Sequence, residues 1–210
     1  MTQAPLVFLH QLIDDGLRAQ FLGQGPRDGF LDTTVLRPPT GSKVALIVFE
    51  DLGCPFCAHA HPLELSAVEQ THVTLLRYDF PLAAHIWTFE GAVCARYIED
   101  HLGPKLAEEF RSDVFASQGL IGNQDDIDQF TAAWLKKHGH TMPAVLDPDG
   151  KLAKEVTADR TLGQRLNVQF TPTVVVVTRD QYQVVCGGKD GRCDPDQILP
   201  VVQAAIAQAK

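Results

Sequence analysis

The chain has 210 residues but only five cysteines, at positions 54, 57, 94, 186 and 193. That number is too small for a disulfide scaffold at this length, so a hydrophobic core must stabilise the fold. Because the number is odd, at least one thiol is unpaired. The sequence also lacks any apolar run near the roughly 20 residues that a membrane-spanning helix requires. It shows no internal repeat and no low-complexity segment.

Clusters of Lys and Arg are also missing, and the formal net charge is −8 at pH 7. We therefore expect neither nucleic acid nor an anionic membrane surface as a partner. Residues 1–6 lack the basic segment and continuous apolar stretch of a secretory signal. Two compartments stay open. The protein is extracytoplasmic (periplasmic or secreted) with its signal peptide already removed, or it is cytoplasmic.

The most informative feature that is present is the motif Cys54-Pro55-Phe56-Cys57. It follows an uninterrupted apolar run, 44–49, which is typical of a strand covered on both faces. A helical stretch comes after it, and a helix N-terminus lowers the pKa of a thiol at its start. The motif predicts thiol–disulfide exchange. Cys54 would be the exposed nucleophile, and Cys57, one turn deeper, would resolve the mixed disulfide.

A zinc site is the competing interpretation, because His59 and His61 closely follow the two cysteines. Zinc needs four ligands at suitable spacing. Residues 59 and 61 are two apart and would face different sides of a helix. The strand–helix context therefore favours redox chemistry with neither a metal nor an organic cofactor. We expect both histidines to be surface or partly packed helix residues.

Hydrophobic periodicity outlines the remaining elements. Strands are predicted at 44–49, 73–80, 173–178 and 181–185. Helices are predicted at 6–21, after the cysteines with a kink at Pro62, in four pieces between 88 and 166, and from Asp194-Pro195 to the C-terminus. In the third of the four pieces, Asp125 or Asp126 is the expected cap. The fourth is expected to break near Gly163 and to end at Asn167 in a left-handed conformation.

The other cysteines have their own expected roles. Cys94 lies on an apolar helix face and is predicted to be a buried, inert thiol. Cys186 and Cys193 bracket a glycine-rich loop, 187–192. Either they form a structural disulfide that closes this loop or they are two free thiols. A disulfide there would favour an oxidising compartment.

Several of these features together resemble the DsbA-like branch of the thioredoxin superfamily. The stretch Phe49–Cys54, which ends at the first cysteine of the redox motif, resembles that branch, and Pro62 matches the kink proline in the helix after the motif. Residues 80–85, residues 162–168 and Thr171-Pro172-Thr173 resemble the branch as well. The resemblance implies an α/β thioredoxin fold, βαβ…ββα, with a helical insertion. The implied parts are an extension at 1–40, a thioredoxin-fold domain at 41–82 and 167–210, and an inserted helical domain at 83–166.

In this family the proline at position 172 is cis and lies beside the redox pair. The resemblance implies that the backbone of Thr171 binds an extended substrate segment. Glu50 or Asp51 would pass a proton to Cys57, or would sit in solvent, and His85 would be a satisfied loop histidine. Pro55 and Phe56 would tune the potential. Because Phe56 has no charge with which to stabilise a thiolate, we expect a weaker oxidant than the family member with His there.

The implied partners are cysteine-containing protein substrates and a redox partner that resets the pair. The direction, whether oxidase, reductase or isomerase, stays open. Two other functions also stay open: a glutathione-dependent transferase or isomerase on the same fold, and a redox-silent, chaperone-like peptide-binding module. The oligomeric state is open too, because the apolar stripe of helix 6–21 could pack on its own domain or on a second chain.

Overall fold

The computed structural model describes residues 29–209, so the predicted helix 6–21 lies outside the described residues. Five strands form within this range. They are β1 (Val44–Glu50), β2 (Thr74–Asp79), β3 (Thr173–Thr178), β4 (Tyr182–Gly187) and β5 (Arg192–Cys193). The α-helices there are α1 (Pro55–Thr71), α2 (Thr88–Leu102), α3 (Pro104–Ala116), α4 (Gln124–Lys137), α5 (Lys151–Leu166) and α6 (Ile198–Gln208). None of them is long and apolar enough to cross a membrane.

The strands build one sheet in the order β2-β1-β3-β4-β5. β1 pairs with β2 in parallel and with β3 antiparallel. This is the predicted βαβ…ββα arrangement, with helices α2 to α5 between its halves. β5, which we did not predict, is only two residues long and pairs with the end of β4.

Alternate residues of β1 point to opposite faces of the sheet, and all seven are buried. Leu46 and Val48 pack with apolar residues of α1 and α6 on one face. Ile47 and Phe49 pack on the other face with residues that include Leu166 of α5. Cover on both faces explains why the strand is apolar throughout.

Helices α2, α3 and α4 share a core of their own, centred on Ile98, Phe110 and Trp134. Leu52 and both cysteines of the motif belong to this core, so the helical region packs directly against the motif. α5 contributes to the sheet core through Leu166. The division into a thioredoxin-fold domain and an inserted domain stays a prediction.

Three predicted details of the helices are wrong. Helix α5 runs without a break through Gly163. Glycine is present there for packing, because a Cβ atom would collide with the ring of Phe80. Asn123 caps α4, since its side chain accepts from the Asp126 N–H, and Asp126 lies in the first turn instead. Asp194-Pro195 begins a 3₁₀ turn, Pro195–Gln197, from which α6 follows. Asn167 does end α5 in the left-handed conformation, as predicted.

We expect Gly163→Ala to destabilise the protein, although alanine is the better helix former. A methyl group at position 163 would lie 2.5 and 2.6 Å from ring carbons of Phe80. Overpacking of this kind costs about 1–3 kcal/mol, more than the gain in helix propensity of about 1 kcal/mol. Urea unfolding measures the change. Gly119→Ala is the control, since nothing lies within 4 Å of the added methyl there, and an equal effect of both substitutions would contradict the packing argument.

Candidate active site

Cys54 and Cys57 lie where β1 gives way to α1. Cys54 is the N-cap residue of α1, Pro55 is in its first turn, and Cys57 follows inside the helix. Both thiols are reduced and buried. The prediction that Cys54 is exposed is wrong, because its exposed fraction is 5% against 1% for Cys57. The helical region covers the pair, and Phe56, with 66% exposed, is the motif residue that faces outwards.

The pKa values of the two thiols are shifted in opposite directions. A hydrogen bond with Cys57 is the largest cause that lowers the pKa of Cys54, to about 6, and contact with Thr171 and nearby backbone N–H groups adds to it against the effect of burial. Burial, followed by the interactions with Cys54 and with the charge of Glu50, raises the pKa of Cys57 well above its usual value. At neutral pH, Cys54 is therefore the thiolate and Cys57 the thiol.

The segment Thr171-Pro172 lies against Cys54. When Cys54 is protonated, its thiol donates to the Thr171 carbonyl oxygen, with 3.1 Å between Sγ and O. The peptide bond between Thr171 and Pro172 is cis. Thr171 and Pro172 are more than 100 positions from the motif in the sequence. The sheet brings the two segments together because β1 and β3 are neighbouring strands.

Glu50 and Asp51 are both buried, so the solvent-exposed alternative is wrong for them. The Asp51 carboxylate accepts from the backbone N–H groups of Gly53, at 2.7 Å, and Leu82, at 2.6 Å. Its Oδ2 also lies 2.9 Å from Nδ1 of His85. The backbone N–H of Asp51 donates to the Cys57 sulfur at 3.5 Å. Asp51 thus fixes the loop before the motif. His85 lies in the loop after β2 and is satisfied by this contact with Asp51, as predicted.

Glu50 enters a buried ionic network beneath the thiols. Arg111, on α3, donates from Nη1 to Glu50 at 2.9 Å and to Asp79 at 2.7 Å. Arg77, on β2, donates to Glu50 and, at 3.3 Å, to Glu64. The network joins the ends of β1 and β2 to the helical region. It also surrounds Glu50 with positive charge from both sides.

His61 and Glu64 lie four and seven residues after Cys57, on the same buried face of α1. The prediction of a surface or partly packed His61 is wrong. Its ring lies 2.9 Å from the Ser112 hydroxyl, and burial lowers its pKa to about 4. Burial raises the pKa of Glu64 to about 8. Glu50, His61 and Glu64 have the spacing of metal ligands, but the Arg77 guanidinium contacts both carboxylates and supplies the positive charge there.

One site residue that sequence reasoning missed is Gln118. Its side-chain amide donates to the carbonyl oxygens of Leu52, at 2.6 Å, and Cys54, at 3.0 Å. The helical region thereby holds the loop that ends at Cys54. Nothing in the sequence signals this contact, because Gln118 is separated from Cys54 by 64 positions. The stripe of Cys57, His61 and Glu64, in contrast, could have been found from helical spacing.

The other cysteines lie away from the pair. Cys94 is completely buried, and burial raises its pKa to about 12, so the prediction of an inert thiol is confirmed. Cys186 and Cys193 form a disulfide, which selects the first of the two predicted alternatives. They are opposite each other on the paired strands β4 and β5.

Comparisons with known proteins agree with this architecture. A family model described as thioredoxin matches residues 33–183. The chain is similar to the crystal structure of Proteus mirabilis ScsC in a transitional conformation, with 19% identity, a TM-score of 0.62, and coverage of 81% of this chain and 71% of that one. It is also similar to the thiol-disulfide exchange protein alpha-DsbA2 from Wolbachia pipientis, with 16% identity, a TM-score of 0.61, and coverage of 83% and 86%.

A third similar structure is a periplasmic thioredoxin-like protein from Salmonella enterica serovar Typhimurium. Here the identity is 19%, the TM-score is 0.60, and the match covers 81% of this chain and 88% of that one. At these identities the likeness concerns the fold. The comparison with curated proteins finds no match.

Proposed function

Because the chain belongs to the thioredoxin family, we propose that it is a thiol–disulfide oxidoreductase acting on cysteine-containing polypeptides through Cys54 and Cys57. The observation that carries this proposal is the placement of Cys54 at the N-cap of α1, with Cys57 inside the same helix. The pKa of Cys54 is lowered to about 6, and that of Cys57 is raised. One thiol is therefore ready to attack at neutral pH, and the other keeps its proton until the second step.

In the reducing direction, the Cys54 thiolate attacks one sulfur of a substrate disulfide. A bond forms between Cys54 and that sulfur, the substrate S–S bond breaks, and the other substrate sulfur leaves as a thiolate. Cys57 then loses its proton and attacks the Cys54 sulfur, which releases the second substrate thiolate. The substrate disulfide is reduced and the enzyme pair becomes a disulfide. In the oxidising direction the same steps run in reverse.

Glu50 and Asp51 are the two carboxylates next to Cys57. The charge of Glu50 contributes to the raised pKa of Cys57, and the backbone N–H of Asp51 donates to the Cys57 sulfur. Both carboxylates are already engaged, Glu50 by two arginines and Asp51 by two backbone N–H groups. We therefore assign an electrostatic role to Glu50, whose charge keeps the proton on Cys57 until the second step, and a positioning role to Asp51.

Thr171 supplies the binding surface for substrate. Its carbonyl oxygen already accepts from Cys54, so a polypeptide that takes the place of this thiol–carbonyl contact lies directly over the nucleophile. An extended segment bound there would pair with backbone groups in the manner of an added strand. Pro55 and Phe56 border the same surface, and the exposed ring of Phe56 offers apolar contact to the substrate.

The reduction potential tests the proposal and decides its direction. Equilibration with glutathione buffers should show a Cys54–Cys57 couple less oxidising than about −120 mV, the value of the strongly oxidising DsbA. The physical reason is Phe56, which offers no charge to stabilise the thiolate. Assays of insulin reduction and of oxidative refolding then show which direction the enzyme favours. A value at or above −120 mV would contradict the role given to Phe56.

We expect the reduced protein to gain stability as pH rises through 6. The folded pKa of Cys54 is about 6, whereas an unfolded cysteine titrates near about 8.5. Between these values the unfolded chain holds a proton that the folded protein has released, so the free energy of unfolding rises with pH. The contribution is complete above the unfolded pKa and is lost as pH falls through about 6.

Urea unfolding of the reduced protein at about pH 5.5 and about pH 8 measures this dependence. Reduced Cys54→Ser under the same reductant is the matched control, since it keeps every other titrating group. Thiolate absorbance near about 240 nm gives the pKa directly. If the two proteins show the same change in stability with pH, Cys54 has no lowered pKa.

We propose an extracytoplasmic location, in the periplasm or as a secreted protein. The Cys186–Cys193 disulfide supports it, because such bonds persist in oxidising compartments. The similar protein from Salmonella enterica is described as periplasmic. The proposed partners are cysteine-containing protein substrates and a second redox protein that resets the Cys54–Cys57 pair.

A further inference from the structure

The Cys186–Cys193 disulfide lies next to β3, the strand that follows the segment Thr171-Pro172. Cys186 is opposite Val174, two residues after Pro172, in the pairing of β3 with β4. The pairing of these strands shifts by one residue at that point, so the backbone ladder is interrupted there. β5 has only two residues and cannot hold itself in place. The bond between Cys186 and Cys193 therefore holds this end of the sheet together.

The loop that this disulfide closes, 187–192, contacts the segment 170–173 at two points. A methyl group added to Gly187 would lie 3.1 Å from both Cα and Cβ of Thr173. One added to Gly191 would lie 3.1 Å from two ring carbons of Phe170. Both glycines have positive φ, at 87° and 66°, so their conformation as well as the space requires glycine. The two contacts are at the two ends of the segment 170–173.

This segment in turn contacts the nucleophile. The Thr173 hydroxyl donates to the Phe170 carbonyl oxygen at 2.7 Å, which closes the segment into a tight turn. Inside that turn, the Thr171 carbonyl oxygen accepts from the Cys54 thiol at 3.1 Å. A continuous series of contacts thus runs from the disulfide through the loop to the surface on which substrate reacts.

We propose that the Cys186–Cys193 disulfide is a positioning element for polypeptide substrates, because it presses the loop 187–192 against Phe170 and Thr173 and so fixes the backbone of Thr171 beside Cys54. This inference rests on the proposed function and deepens it. The proposal predicts different behaviour for two classes of thiol substrate. A polypeptide thiol pairs with the Thr171 segment and depends on its position, whereas glutathione needs only access to the Cys54 sulfur.

Amide hydrogen exchange tests the positioning without any activity. The protein is compared with Cys186→Ala/Cys193→Ala in both oxidation states of the Cys54–Cys57 pair, and the peptide covering 168–174 is followed by mass spectrometry. We expect this peptide to lose protection in the double variant, while peptides from α3 and α4 stay unchanged. Unchanged exchange at 168–174 would overturn the proposal. Far-UV circular dichroism checks that the variant is folded.

Kinetics test the consequence for substrate. The oxidised protein is mixed with a cysteine-containing peptide or with reduced glutathione, whose thiolate attacks Cys54 and releases Cys57 as the leaving thiolate. We expect the double variant to react about fivefold more slowly with the peptide and less than about twofold more slowly with glutathione. Mass spectrometry verifies that Cys186–Cys193 stays oxidised in the unmodified protein. Equal losses with both thiols would contradict the positioning role.

Phe170→Ala, combined with the double alanine variant, gives a double-mutant cycle. The ring is 42% exposed, so its removal leaves the core intact, and the disulfide is kept. In the Phe170→Ala background, the double alanine variant should slow the peptide reaction less than it does in the unmodified background, because one of the two contacts that transmit its effect is already gone. A loss as large as in the unmodified background would overturn the proposal. If the unmodified protein reacts with neither thiol, the proposed function fails, and hydrogen exchange alone decides the positioning.

Discussion

Cys54→Ser should abolish disulfide exchange with insulin, and Cys57→Ser should stop the reaction halfway. Without Cys54 no thiolate is present at the N-terminus of α1, and the rate should fall to that of the reaction without enzyme. Without Cys57 the first attack still occurs, but nothing releases the bound substrate. The variant should therefore accumulate a mixed disulfide with Cys54, which mass spectrometry detects as an added substrate chain.

Cys94→Ser is the matched control, because Cys94 is buried and burial raises its pKa to about 12. It should keep the full rate of exchange. Full catalytic activity of Cys57→Ser would contradict the two-thiol mechanism and favour the glutathione-dependent transferase or isomerase, which needs one nucleophile. If the oxidised protein fails to react with dithiothreitol, the chaperone-like, redox-silent module becomes the better description.

Arg111→Met should lower the free energy of unfolding by about 3–5 kcal/mol, the cost of leaving buried charges without a partner. Arg111 is 3% exposed and bridges Glu50 and Asp79 at 2.9 and 2.7 Å. Methionine preserves most of the apolar volume but removes the charge. Among the described residues, Glu50 then retains its ion pair with Arg77, and Asp79 retains its ion pair with Arg96. Urea unfolding at neutral pH measures the loss.

Arg165→Met serves as the control for charge alone, because its ion pair with Asp32 lies at the surface. Its effect should be much smaller, since water and salt screen exposed pairs. If both substitutions destabilise the protein equally, burial of the network is not what makes Arg111 important. Because Arg111 lies on α3 and its partners end β1 and β2, a large effect would also show how firmly the helical region is attached to the sheet.

Local sequence patterns predicted the helices and strands well where the environment of a residue depends on its neighbours in the sequence. The apolar run at 44–49 indicated a strand buried on both faces, and the structure has β1 at Val44–Glu50. The left-handed end at Asn167 followed from local chemistry in the same way. The predicted helix break near Gly163 is wrong, because glycine is required there by packing and not by the local sequence. Phe80 packs against it from another element, and sequence spacing contains no record of that contact.

The same distinction between local and distant causes applies to the candidate site. Two cysteines at helical spacing after a strand indicate which atoms react, because that chemistry needs only the motif and the helix N-terminus. The acidities depend on more distant groups. Burial by the helical region, the contact with Thr171 and the charge of Glu50 all act on the pair. The roles of Arg111, from α3, and Gln118, from the turn after it, could not be predicted, because Glu50 and Leu52, which they contact, are more than 60 positions away.

By itself, the sequence determined the fold class, the candidate redox pair Cys54 and Cys57 and the pairing candidates Cys186 and Cys193, because strand periodicity, helix starts and thiol spacing are properties of short segments. Only the tertiary structure decided that Cys54 is buried, that Glu50 and His61 belong to a buried polar network, and that the loop closed by the Cys186–Cys193 disulfide lies against the segment 170–173. These features depend on which distant segments the sheet brings together. Burial and charge act through space, so they are set by that arrangement and not by order along the chain.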